Sequence, residues 1–264
     1  MDLQLNGKRA LITGSTVGIG LAIAKALAEE GAEVIVNGRT DEKVSEAKRR
    51  IAAMISKAKI VGIAADVSSS DGVTRITEAY PEIDILVNNV GIFEPRAFEQ
   101  TPDADWLKFF EVNVMSGVRL SRHYLRKMRD RNWGRIVFIS SESAANIPAE
   151  MIHYGVTKTA QVALARGLAE TTVGTGITVN SILPGPTLSE GVGTFIQQLA
   201  EEQDIAIEEV EKQFFENTRP SSLIKRFIQP EEVASLVVYV CSPLSAATNG
   251  AALRVDGGVV RSIF

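Results

Sequence analysis

Two rhythms of apolar and polar positions alternate along this chain. Short strand-like runs occur at 9–13, 33–37, 60–64, 85–87, 135–139, 178–183 and 253–255, several of them continuously apolar and rich in Val and Ile. Runs of this kind predict strands buried on both faces. Between them, apolar residues recur at helical spacing over 19–30, 41–57, 103–131, 153–173 and 230–240. Gly31 and Gly174 follow two of these patterns as stops, and Pro230 sits in the first turn of another. Strand and helix in alternation predict βαβ units, and so an α/β fold: a doubly wound parallel sheet of about seven strands with helices on both faces.

The segment 184–229 breaks the rhythm. It has no convincing strand but holds two amphipathic stretches, near 194–202 and 207–215. A connection this long in a compact domain is usually functional, and the helical patterns inside it predict a substrate lid. Phe195, Leu199, Phe214 and Phe215 are its expected packing residues.

Composition narrows the function. At 264 residues one domain spanning 1–264 is expected. A net charge of −4 gives no electrostatic footprint for nucleic acid. Cys241 alone allows no intrachain disulfide, and His123 and His153 are the only histidines, so no metal site is expected. No apolar run is long enough to span a bilayer, and the N-terminus has no signal-peptide pattern, so a soluble cytoplasmic protein is expected.

Candidate chemistry lies at the carboxyl ends of the predicted strands. Gly14, Ser15, Thr16, Gly18, Ile19 and Gly20 join the first strand to the first helix. Glycines there permit a tight turn, and the helix N-terminus offers N–H groups to a pyrophosphate. An Asp or Glu closing the second strand commonly holds the ribose 2′-hydroxyl of NAD. This chain reads Asn37-Gly38-Arg39 instead, and a guanidinium there suits a 2′-phosphate, hence NADP(H). Asp66-Val67 follows the third strand and Asn88-Asn89-Val90-Gly91 the fourth. Tyr154 and Lys158, four apart on a helix, share a face. An ammonium beside a phenol lowers its pKa and makes it a usable acid or base. Ser141 lies just past the fifth strand, where its hydroxyl could hold a carbonyl oxygen. Ser140 and Ser143 are alternative hydroxyls, Phe93 and Glu94 could edge a pocket, and His153 points elsewhere around the helix.

These residues resemble the short-chain dehydrogenase/reductase family over essentially the whole chain. Thr13–Gly20 is similar to its TGxxxGxG motif, and Asn88–Gly91 to NNAG with Val90 replacing Ala. Asn113, Ser141 thirteen positions before Tyr154, the YxxxK pair and the Pro184-Gly185 turn fall in the family's order. The resemblance implies a Rossmann-type fold and a role for each position. Tyr154 exchanges the proton, Ser141 polarises the oxygen, and Lys158 binds the nicotinamide ribose and lowers the Tyr154 pKa. Asn113 holds a water linking Lys158 to solvent. Asp66 and Val67 contact adenine, Asn88 steadies the central strands beside the cofactor, and Thr187 and Ser189 flank the carboxamide. It also implies a homotetramer, with a dimer as the alternative.

Four departures stand out. Val17 replaces the basic residue that NADP-specific members often carry, Ser189 replaces Thr, the stretch 66–83 is short enough to trim a peripheral helix, and the lid is long. The resemblance implies an NADP(H)-dependent oxidoreductase of carbonyl/alcohol pairs, similar to 3-oxoacyl-carrier-protein reductases, with NAD(H) possible. The alternatives are an NAD-dependent 3-hydroxy acid dehydrogenase, similar in its lid and in the Pro220-Ser221 region, and a non-catalytic nucleotide-sensing regulator.

Overall fold

A computed structural model describes residues 1–263; Phe264 and the side chain of Phe195 lie outside the described residues, and with the latter its expected packing role. Seven parallel strands form one sheet: β1 (Arg9–Ile12), β2 (Glu33–Gly38), β3 (Lys59–Ala64), β4 (Ile85–Asn88), β5 (Gly134–Ile139), β6 (Ile177–Pro184) and β7 (Ala252–Val255). Their order is β3-β2-β1-β4-β5-β6-β7. Strand order reverses at β1, which pairs with β2 on one side and β4 on the other. In open α/β sheets the crevice at such a switch point is where ligands bind.

The sheet has a core on each face because side chains alternate along every strand. Ile12, Val34, Val36, Val87 and Val137 point to one layer, packed against α1 (Gly18–Glu29), α2 (Asp41–Met54) and α9 (Pro230–Cys241). Leu11, Ile35, Leu86, Ile136 and Phe138 point to the other, packed against α3 (Ser70–Ala79), α5 (Ser116–Asp130) and α6 (Ile152–Glu170). This two-sided burial is why the central strands β1, β4 and β5 are mostly apolar.

Several elements differ from the expectation, among them the helix expected over 153–173, which ends at Glu170. The helical pattern over 103–131 is α4 (Asp103–Phe110) continuing into α5 through a π turn, Glu111–Met115, that holds Asn113. The second helix ends at Met54 rather than 57, because Ile55 turns to extended backbone with φ −130°. The short stretch after β3 still forms the ten-residue α3, capped by the Ser69 hydroxyl, which accepts from Gly72 N at 3.0 Å.

The segment after β6 forms α7 (Glu190–Gln203), α8 (Ile207–Gln213) and a π turn, Phe214–Thr218. Ile196, Ala200, Val210, Phe215 and Phe227 give it a small core of its own. Among the described residues no helix is long and apolar enough to cross a membrane.

Candidate active site

The glycine-rich turn is built by close approach. Gly14 and Gly18 hold φ of 60° and 55°, a region that disfavours side chains. A Cβ on Gly20 would stand 2.4 Å from the Gly14 carbonyl oxygen. Val17 gives α1 no side-chain cap, and its first turn has no acidic residue. The turn therefore presents helix N–H groups and their partial positive charge to an anion, which fits a dinucleotide pyrophosphate. Ile19 lines the cavity described below, and Gly18 approaches the Ser189 side chain.

Ser15 is fully buried. Its hydroxyl donates to Ile12 O at 2.7 Å and accepts from Asn37 N at 3.0 Å, tying β1 to β2. Thr16 covers Gly38, where a Cβ would lie 2.5 Å from its methyl group. Asn37 is buried and donates to Ile63 O and Ala65 O, so the end of β2 offers Arg39 as its exposed charged group. Arg39 has no hydrogen bond or ion pair among the described residues. The Asp66 carboxylate accepts from Ser68 N at 2.9 Å, while Val67 is buried.

The two asparagines after β4 divide the work. Asn88 faces α5 and donates to Ser121 Oγ at 3.2 Å, away from the cavity. Asn89, which the sequence reading did not single out, donates to Thr13 O at 2.9 Å and Gly14 O at 3.1 Å and lines the cavity. A Cβ on Gly91 would stand 3.1 Å from Lys158 Nζ, so glycine there makes room for the lysine.

One cavity of about 590 Å³ gathers Ser141, Tyr154 and Lys158 with Ile19, Gly91, Pro184, Gly185, Thr187 and Ser189. That volume is typical of small-molecule sites. Phe93, Ile196, Leu199 and Phe214 supply apolar walls, and Phe93 meets the Tyr154 ring edge-on at 6.3 Å between centroids. Thr187 donates to Gly185 O at 2.9 Å, and the Ser189 hydroxyl caps α7.

Lys158 is buried, and its Nζ lies 5.6 Å from the centre of the Tyr154 ring. It donates to Ile139 O at 2.9 Å and to Gln161 Oε1 at 3.2 Å. Burial lowers its pKa to about 7. Tyr154 is moved upward, opposite to the expectation: desolvation raises it most, Ser141 and Arg219 pull it down, and Glu142 pushes it up. The physical reason is that burial outweighs the charges nearby.

The Asn113 carbonyl accepts from Gln161 Nε2 at 2.5 Å, and Gln161 in turn accepts from Lys158 Nζ. The Asn113 side chain clamps the loop after β4, accepting from Ile92 N at 2.8 Å and donating to Ile92 O at 3.0 Å and Thr157 Oγ1 at 2.9 Å. The Ser141 hydroxyl donates to Glu142 Oε2 and accepts from Ser143 N at 3.1 Å. Glu142 Oε1 in turn takes Arg219 Nε at 3.2 Å, and Arg219 Nη1 reaches Glu150 Oε1 at 3.0 Å. Gln161, Glu142 and Arg219 carry no sequence signal of their own, because their partners are set by tertiary folding.

Of the remaining candidates, Ser140 and Ser143 also line the cavity, whereas His153, Glu94 and Cys241 do not. Ser140 donates to Lys158 O at 2.8 Å and serves the helix backbone. His153 is buried against Phe109 and Trp106, and burial lowers its pKa. Glu94 pairs with Arg96 at 2.6 Å. Cys241 is buried, which pushes its thiol up to about 12. No group of three or more His, Cys, Asp or Glu is placed to hold a metal ion among the described residues.

Residues 14–260 match the family described as "Enoyl-(Acyl carrier protein) reductase". The chain is 50% identical over 264 residues to an uncharacterized oxidoreductase, YvaG, of Bacillus subtilis (strain 168), covering 100% of both chains. It is 34% identical over 261 residues to a D-beta-hydroxybutyrate dehydrogenase of Cupriavidus necator, covering 97% of this chain and 99% of that one. The L-sorbose reductase of Gluconobacter frateurii, solved with NADPH and L-sorbose, aligns at 31% identity over 100% of both chains with a TM-score of 0.93.

Proposed function

The chain belongs to the short-chain dehydrogenase/reductase family, and from that premise we propose that it is an NADP(H)-dependent oxidoreductase of a ketone/secondary alcohol pair with Tyr154 as general acid and base. One observation carries the reading. A single cavity is lined both by Ser141, Tyr154 and Lys158 and by the loops beside the glycine-rich turn. A group seated on that turn and a carbonyl on Ser141 would therefore share one cleft.

When bound, the nicotinamide supplies or accepts the hydride. The chain does the rest. Ser141 holds the substrate oxygen. Tyr154 donates the proton to that oxygen in reduction and removes it in oxidation. Lys158, fixed by Ile139 O and Gln161, stands ready to hold a ribose hydroxyl and to answer charge on the phenolate. Asn113 is a positioning residue that holds the loop after β4 and, through Gln161, the lysine.

Preference for NADP(H) rests on Arg39, exposed at the end of β2 where an acid is missing. The sorbose reductase binds NADPH, which supports the same choice. Helices α7 and α8 wall the cavity with Ile196, Leu199 and Val210 and are read as the substrate lid over 184–229, within one domain spanning 1–264. Assembly as a homotetramer belongs to this reading and is supported by exposed Leu107 and Phe110 on α4.

The second reading, an NAD-dependent 3-hydroxy acid dehydrogenase, is favoured by the hydroxybutyrate dehydrogenase relative. Turnover of NADPH and NADH side by side, against neutral ketones and 3-oxo acids, separates the two. A regulator without catalysis would bind cofactor and turn over none of these.

A further inference from the structure

Resting on the oxidoreductase reading, we propose that Glu142 is a specificity-determining residue. It selects a ketone bearing a hydroxyl on the carbon next to the carbonyl and disfavours one bearing a carboxylate there.

Glu142 is an unusual group for this wall. Its side chain is 6% exposed, yet it lines the cavity beside Ser141 among largely apolar neighbours. A buried carboxylate is costly unless paired and hydrogen-bonded. Both oxygens are accounted for: Oε2 accepts from the Ser141 hydroxyl and Oε1 from Arg219 Nε at 3.2 Å. A carboxylate has about four acceptor positions, so acceptor capacity remains after these two bonds.

Position sets what this capacity can recognise. Ser141 is the group that holds the substrate oxygen, and Glu142 bonds directly to Ser141. The acceptor therefore sits next to the carbonyl, within reach of a substituent on the adjoining carbon. A hydroxyl there supplies the donor that the carboxylate needs. As it binds, it also competes with Ser141 for Glu142 and frees the serine proton for the carbonyl oxygen.

Charge sets what it rejects. One guanidinium, that of Arg219, serves both Glu142 and Glu150, the latter at 3.0 Å. Arg219 is shared between the buried Glu142 and the 42% exposed Glu150, so the guanidinium is not given to Glu142 alone and the buried carboxylate keeps this end of the cavity negative. A third carboxylate would meet repulsion in a partly desolvated site. An ammonium would satisfy the charge but would lose far more hydration among apolar walls than a hydroxyl does.

The test uses the full-length protein, NADPH and three ketones that differ only in one group: butanone, hydroxyacetone and acetoacetate. Each is CH3–CO–CH2–X, with X a methyl, a hydroxyl or a carboxylate. In the wild type, kcat/KM should be greatest for hydroxyacetone, about 10-fold above butanone as suits a charge-assisted hydrogen bond, and least for acetoacetate. In Glu142→Gln the hydroxyacetone preference should shrink several-fold and the relative rate with acetoacetate should rise. Each comparison is a ratio within one protein, so partial loss of folded enzyme cancels. If the variant does not fold, the order in the wild type decides. Equal rates with butanone and hydroxyacetone, or acetoacetate as the best substrate, would overturn this inference while leaving the oxidoreductase reading intact. No turnover of hydroxyacetone while another ketone is reduced would overturn this inference alone, whereas no turnover of any ketone with either NADPH or NADH would overturn the oxidoreductase reading and this inference with it.

Discussion

Lys158 Nζ stands 5.6 Å from the centre of the Tyr154 ring and gives its hydrogen bonds to Ile139 O and Gln161 instead. The two side chains share a helix face, as a four-residue interval requires. Sharing a face does not by itself lower the phenol's pKa. Both groups are desolvated, and each is pushed toward its neutral form.

That relationship predicts how stability depends on pH in the cofactor-free protein. Lys158 titrates near 7 when folded and near 10.5 when unfolded. Between those values the unfolded chain binds more protons, so this group makes stability rise with pH across that window. Tyr154 acts in the opposite sense above its ordinary value of 10.0, because the unfolded chain then loses its proton first. Urea melts should show stability climbing from neutral pH toward 10, and Lys158→Met should flatten the climb. An unchanged slope in a folded variant would place the lysine in solvent.

A second prediction concerns the cofactor. Arg39 ends β2 without a partner among the described residues. Replacing it with Leu should weaken NADPH binding about 10- to 100-fold, as for loss of a charge-assisted bond, and leave NADH binding nearly unchanged. Fluorescence titration with each cofactor measures both. Equal wild-type affinity for the two would remove Arg39 from this role.

A third concerns the buried ion pair. Arg219→Leu would strand the Glu142 carboxylate in the cavity wall, where its pairing is at 3.2 Å. Breaking a buried pair from one side costs roughly 3–5 kcal/mol, and the double variant Arg219→Leu with Glu142→Leu should recover much of it. Denaturant midpoints of the single and double variants supply the comparison. A single variant as stable as wild type would mean that the cluster is solvated.

Much of this architecture was legible in the chain. The central strands β1, β4 and β5 announce themselves because they are buried on both faces, whereas β6 carries Asn180 and Ser181 and the edge strand β7 is only half-buried. Helix α3 was harder to read: its ten residues bury only Gly72, Val73 and Ile76, too few to set a period. The π turn at Asn113 leaves no trace in apolar spacing, since the helix continues on both sides. Tyr154 and Lys158 could be paired from their interval. Glu142 and Arg219 are 77 residues apart, and only folding of the segment after α8 onto the loop after β5 brings them together. Likewise, Asn88 and Asn89 are equal as letters. Strand pleating sends one to Ser121 and the other to the glycine-rich turn.

A fourth prediction addresses α7 and α8. They share a small core distinct from those of the sheet and join the cavity floor through Arg219. Few ties to the main body predict a lower opening free energy than for β5. Amide hydrogen exchange across 190–218 should be faster than across β5 in the free protein and should slow when NADP and a substrate analogue are bound. Equal protection without ligand, and no change with it, would make the segment a fixed wall.

The central claim is that Tyr154 moves the proton while hydride passes to or from the nicotinamide. Tyr154→Phe keeps the ring against Phe93 and removes only the hydroxyl. The decisive measurement is kcat for ketone reduction by this variant with NADPH, alongside NADPH affinity and a melting curve. The account predicts a fall of roughly 10²–10⁴-fold in kcat with cofactor affinity and folding retained. A folded variant that binds NADPH and turns over at near the wild-type rate would contradict it.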